Sequence, residues 1–229
     1  MNKQRLLIAT LVLILLIGAG ILAAKQFIGD QAPPGGVDHN RDPFANIKAP
    51  DGLDPLVAAR YEAEIAGTKK EYEDRPDIWE TWIGIGNLKN LLGDYEGAIA
   101  AYQKSLQITP NNILGYRNLA EVYRQGLKDY PTAATYYQLA IQQNFSDIEL
   151  YLELAQIYHK QLNQPDKALA VYEDARTRWP VKPDILTALI NFYKDTGDKD
   201  KYAETVELLR QTYPDNELYR VSYRDVPLK

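Results

Sequence analysis

At 229 residues with 45% hydrophobic side chains the chain can build a sizeable core, and its lack of cysteine excludes disulfides, thiolate catalysis, cysteine–zinc sites and lipidation of an N-terminal cysteine. The net charge of -5 is unevenly placed: Lys3, Arg5 and Lys25 stand without an acid in the first 25 residues, leaving 23 basic against 31 acidic side chains in the remainder. A mildly acidic body matches phosphate backbones poorly, so no nucleic-acid partner is expected.

Leu6 to Ala24 is an uncharged run of 19 residues, broken only by Thr10, Gly18 and Gly20. As a helix rising about 1.5 Å per residue it is about 28 Å long, close to the ~30 Å hydrocarbon core of a bilayer. A single transmembrane helix is therefore predicted over residues 6–24, behind a short head of residues 1–5. The alternative is a cleaved signal peptide ending at Leu22-Ala23-Ala24, whose apolar stretch would ordinarily be only about 7–15 residues. Lys3, Arg5 and the amino terminus precede the run, so the positive-inside bias keeps the head in the cytoplasm. Residues 25–229 then lie on the extracytoplasmic side, which in a bacterium is the periplasm or cell exterior.

Residues 25–53 are rich in Gly, Pro, Asp and Asn, as in Pro33-Pro34-Gly35-Gly36 and Ala49-Pro50-Asp51-Gly52, with no apolar period. They read as a flexible linker, with His39 simply solvated. Asp54-Pro55 opens a helix reaching about Tyr72, with Leu56, Ala59, Tyr61, Ala63, Ile65 and Ala66 available for packing. Residues 54–75 are assigned as an N-terminal capping helix, covering one open end of a repeat array.

The array itself is marked by its prolines. Pro76, Pro110, Pro180 and Pro214 are separated by 34, 70 and 34 residues, and Phe145 divides the middle interval equally. Four units result, at about 79–112, 113–147, 148–182 and 183–216. The first carries Trp82, Ile85, Gly86, Ala98, Tyr102, Ser105 and Pro110. The second carries Tyr116, Leu119, Ala120, Tyr123, Ala133, Tyr137 and Ala140. The third carries Tyr151, Leu154, Ala155, Tyr158, Ala168, Tyr172, Ala175 and Pro180. The fourth departs most, with Leu186, Leu189, Ile190, Tyr193, Tyr202, Val206, Leu209 and Pro214. Lys89 stands where the other units have a tyrosine. Each unit fits two amphipathic helices, with small residues where helices approach closely and aspartates such as Asp94 and Asp129 as caps.

This pattern resembles the tetratricopeptide-repeat (TPR) family over about 140 residues. The resemblance implies an all-α helix-turn-helix solenoid, a right-handed superhelix of antiparallel helix pairs, here preceded by the single transmembrane helix. Residues 217–229 form a tail in which Tyr219 and Tyr223 can turn against the last unit.

Catalytic chemistry is missing. Asp195-Thr196-Gly197 falls where the fourth unit must turn, Gly84-Ile85-Gly86 lacks a third glycine and a preceding strand, and His159 has no second histidine or any cysteine to share a metal. Asn144-Phe145-Ser146 is a glycosylation sequon only in a eukaryotic lumen. No enzyme activity, cofactor or metal is expected.

With the core face fixed, helical spacing places the opposite stripe of each first helix on the concave side. Glu80, Ile83, Leu114, Leu152 and Thr187 belong to it. Its candidate partner-binding residues are Asn87, Asn90, Arg117, Asn118, Glu121, Arg124, Glu153, Gln156, His159, Asn191 and Lys194. Carboxylate-clamp TPRs hold acidic chaperone tails with asparagines flanked by basic residues. Asn87 and Asn118 match those asparagines, but Ile83, Glu149 and Glu153 stand where the basic partners would be, which argues against that ligand. The stripe suits an extended peptide of mixed charge. The function expected is a membrane-tethered scaffold or adaptor for protein or peptide partners in envelope assembly, secretion or quality control. The alternatives are a cytosol-facing import or targeting receptor, and a structural subunit self-associating through the solenoid ends.

Overall fold

The computed structural model describes residues 42–45 and 47–223. Among them are ten α-helices, two π-helical turns and no strand. In chain order they are α1 (Pro55–Asp74), α2 (Trp79–Leu91), α3 (Tyr95–Ile108) and α4 (Ile113–Glu121), continued by π1 (Val122–Gly126). Then come α5 (Tyr130–Gln143), α6 (Ile148–Gln156), continued by π2 (Ile157–Gln161), α7 (Pro165–Arg178), α8 (Pro183–Thr196), α9 (Lys199–Thr212) and α10 (Glu217–Ser222). The all-α expectation holds. The expected membrane span lies outside the described residues, among which no helix is long and apolar enough to cross a bilayer. The chain forms two compact units that divide between Val122 and Tyr123.

The first unit is built on α2 and α3. Gly86 is required because a Cβ there would run into the ring of Tyr102, which is buried. Gly115 likewise lets α4 approach Leu106, only 2.8 Å from where a Cβ would stand. Two expectations change at the N-terminal side. Leu56, Ala59, Ala63 and Ala66 are exposed; α1 packs through Ile65, as expected, and through Tyr72, with Thr68 buried between them, a 3–4 spacing that faces Trp82, Ile85 and Leu88. The end of the expected flexible linker is also ordered against the unit. Asp42 accepts from the Phe44 amide at 2.9 Å, and Phe44 sinks into the cluster of Ile85, Leu88 and Ala101 with its ring 5.7 Å from Tyr72. Phe44 is the main anchor of this short strap, and Ile47 packs against the same cluster.

The second unit stacks α5 to α10. Tyr123 and Tyr136 lie parallel, 5.5 Å apart. The divergent fourth repeat forms a helix pair, α8 and α9, because Leu186, Ile190, Val206 and Leu209 bury one continuous cluster. Tyr202 and the α10 tyrosines Tyr219 and Tyr223 close over it, as the tail's spacing suggests.

One local rule recurs in both units. In three of the four repeats an aromatic near the start of the first helix donates its polar tip to the carbonyl of the punctuating residue six positions earlier. Trp82 bonds Pro76 at 2.8 Å, Tyr116 bonds Pro110 at 2.9 Å, and Tyr151 bonds Phe145 at 3.5 Å. Leu186 of the fourth repeat has no such tip, and Tyr213 instead reaches the Val181 carbonyl at 2.7 Å. The turns differ in a way that explains the repeat lengths. α2 and α8 end at Gly93 and Gly197, both at positive φ, the left-handed stop that glycine makes easily. The two 35-residue repeats absorb their extra residue in π1 and π2 and then place Lys128 and Asn163 at positive φ.

Candidate partner-binding surfaces

Asn87, Asn90, Arg117, Asn118 and Glu121 fall in the first unit, where the role expected of Asn87 must be refined. Its Oδ1 accepts from the Tyr102 hydroxyl at 2.9 Å and from Asn118 Nδ2 at 3.0 Å. Burial pushes the Tyr102 phenol far above its ordinary value, so it stays a hydroxyl and keeps its proton for Asn87. Asn87 is thus a structural acceptor as well as an exposed amide. Its Nδ2 and the Asn118 carbonyl oxygen are the ends oriented by this pairing. Asn87 and Asn90 border a shallow cleft of about 360 Å³ with Glu64, Leu88 and Leu91. Arg117 and Glu121 are half-buried, with contacts of their own. Ile83 is buried, not part of an exposed stripe.

Arg124, Glu153, Gln156, His159, Asn191 and Lys194 fall in the second unit. Arg124 and Glu153 form an ion pair at 3.6 Å, which withdraws both from the set of separate charges that the sequence suggested. The other four converge. Gln156, His159, Asn191 and Lys194 all line one open pocket of about 470 Å³ formed by α6, π2, α7 and α8. Its apolar wall is Phe192, with Tyr172 at 5.7 Å and the His159 ring edge-on at 4.9 Å, and with Leu152 and Ala188 alongside.

Electrostatics sharpen this pocket. Lys160 bonds Asp195 across its edge, and that hydrogen bond holds the Asp195 carboxyl below the usual carboxylate range. Burial first, and then the Lys160 charge, depress His159, with Asp195 opposing, so the imidazole is mostly neutral near pH 7. Burial and then the Asp195 charge raise the Tyr172 phenol to about 12.

Sequence reasoning missed Lys160, Tyr172, Phe192 and Asp195. Lys160 escapes a projection at 3.6 residues per turn where the backbone widens into π2. Tyr172 stands on the second helix of its repeat, whereas Phe192 and Asp195 each stand one position beyond a stripe residue, Asn191 and Lys194. The available signal was the 35-residue period, which marks the repeats where that projection breaks. Asp195-Thr196-Gly197 is a helix end, as expected, with Thr196 Oγ1 bonded to the Phe192 carbonyl and Gly197 left-handed. No cluster of metal ligands occurs among the described residues.

Residues 86–126 match a TPR repeat family model, and residues 148–175 match a second tetratricopeptide repeat model. No curated protein matches the sequence. Among solved structures, MamA is 19% identical, with 73% of this chain and 99% of that chain covered at a TM-score of 0.57. PilF of Pseudomonas aeruginosa is 19% identical over 72% of this chain and 75% of its own, at 0.51. A tetratricopeptide repeat protein of Parabacteroides merdae is also 19% identical, over 75% and 65%, at 0.55. At these identities the likeness establishes the fold. Residues 86–126 and 148–175 thus carry tetratricopeptide repeats, and the described helices share the fold of a solved tetratricopeptide repeat protein.

Proposed function

We propose that this chain is a membrane-tethered TPR scaffold. It holds a partner protein by an extended segment on the extracytoplasmic side, in envelope assembly, secretion or quality control. The observation that carries the binding role is the second-unit pocket, where amides, a histidine and a lysine from successive first helices surround an aromatic wall. Such a mixture of apolar surface with a few convergent polar groups is what ligand sites have in common. The tether rests on the 19-residue apolar run and its leading Lys3 and Arg5. Binding, with no catalytic step, is the role proposed.

Because the chain has no cysteine, single-cysteine variants report both sidedness and occupancy. Asn191→Cys places a thiol in the pocket, and Ala170→Cys places one on an exposed part of α7 outside it. In intact cells stripped of any outer envelope, a membrane-impermeant maleimide should label Ala170→Cys fully. It should label Asn191→Cys more slowly than it does in purified protein. Labelling of neither variant until the membrane is opened would reverse the topology and favour the cytosol-facing receptor. Equal rates for Asn191→Cys in cells and after purification would argue that nothing occupies the pocket.

A further inference from the structure

We propose that the second-unit pocket selects an apolar–acidic pair in its partner's extended segment: an aromatic or branched aliphatic side chain against Phe192 and Ala188, and the neighbouring carboxylate at Lys194. This rests on the proposed role of the pocket as a peptide site, and adds which peptide it takes.

The argument is one of charge and shape. Three charged residues face the pocket: Lys160 from π2, and Lys194 and Asp195 from α8; α7 contributes Tyr172 and no charge. Lys160 and Asp195 are committed to each other, so their charges cancel locally. His159 contributes little charge at neutral pH, because burial and the adjacent Lys160 lower its affinity for a proton. The balance is one ammonium, on the exposed side chain of Lys194. A single monoanion satisfies it, a cation is repelled, and a phosphate dianion finds only half its charge matched. Gln156 and Asn191 both donate and accept, which suits the peptide bonds on either side of the anchoring residue. Phe192 and Tyr172 are both buried, so the apolar surface that the pocket offers, shared with the half-buried Leu152 and Ala188, is small and matches one side chain. Neither half suffices alone: an exposed charge pair is worth on the order of 1 kcal/mol or less, and the apolar contact supplies no preference of sign.

The test uses the full chain in nanodiscs with ¹³C-labelled histidine. Only His39 and His159 give ring signals, so His39 serves as the internal control and His159→Gln assigns the second peak. Four capped tetrapeptides are titrated, with central residues Phe-Asp, Phe-Asn, Phe-Lys and Gly-Asp. The Phe-Asp peptide should shift the His159 signal saturably and leave His39 unmoved. Phe-Asn should bind about fivefold more weakly, the size expected for one partly exposed ion pair, and Phe-Lys and Gly-Asp more weakly still. Lys194→Ala should bring Phe-Asp down to the Phe-Asn level, and 0.5 M salt should narrow the same gap. If Phe-Asn and Phe-Lys bind as well as Phe-Asp, the acidic preference is wrong while the peptide site stands. If no peptide moves His159 at millimolar concentration, both the preference and the peptide site are overturned.

Discussion

The residues that make the repeat regular are the aromatics whose rings fill the helix junctions while their tips satisfy a backbone carbonyl. This dual role predicts graded costs. Tyr116→Phe removes the 2.9 Å bond to the Pro110 carbonyl while keeping the ring, and should destabilise the protein by about 1 kcal/mol. Tyr151→Phe gives up a longer, 3.5 Å contact to Phe145 and an interaction with the exposed Asp174, and should cost less in the same urea titration. Negligible costs at both places would mean that ring packing alone matters there. The tyrosine spacing was visible in the sequence because it recurs every 34 or 35 residues. The fate of Asn87 was not, since its oxygen is claimed by Tyr102, 15 residues away, through a contact that only the folded helix pair creates.

Among the elements, helix identity was legible throughout, and the faces and ends were less so. The caps at Asp54, Asp94, Asp129 and Asp198 each accept from an amide in the first turn, as their placement before apolar runs suggests. The apolar face of α1 is narrower than its composition suggests, because alanines are as compatible with water as with a core. The strap around Phe44 looks like linker in the sequence, since Pro, Asp and Asn surround one phenylalanine and no period announces it. Its contribution is measurable. Phe44→Ala should lower stability by about 2–4 kcal/mol, the cost of a buried aromatic truncation, and lower the melting temperature accordingly. An unchanged melt would show that the strap docks without supporting the first unit. The π-turns belong at this scale too. The extra residue of each 35-residue repeat is taken up inside the helix ends as π1 and π2, which carry Arg124, His159 and Lys160.

For the whole molecule, the family models reach residues 86–126 and 148–175, yet helix pairing continues through α8 and α9. The fourth repeat departs from the pattern at Ile190 and Tyr202, and both residues are absorbed by the cluster that α10 helps close. Periodicity therefore carried the fold. It carried the candidate surface only in part: four of the eleven candidate residues converge on one pocket, two pair with each other, and Asn87 supports Tyr102. The proposed scaffold depends on that pocket meeting a partner while the chain is in its own membrane. The most direct measurement attaches a benzophenone maleimide to Asn191→Cys and, separately, to Ala170→Cys in the full chain, then irradiates intact cells. A discrete adduct of higher mass from position 191 and none from position 170 is the predicted result. Adducts from position 170 alone, with Asn191→Cys silent in an equally stable protein, would contradict the account and move binding off the pocket.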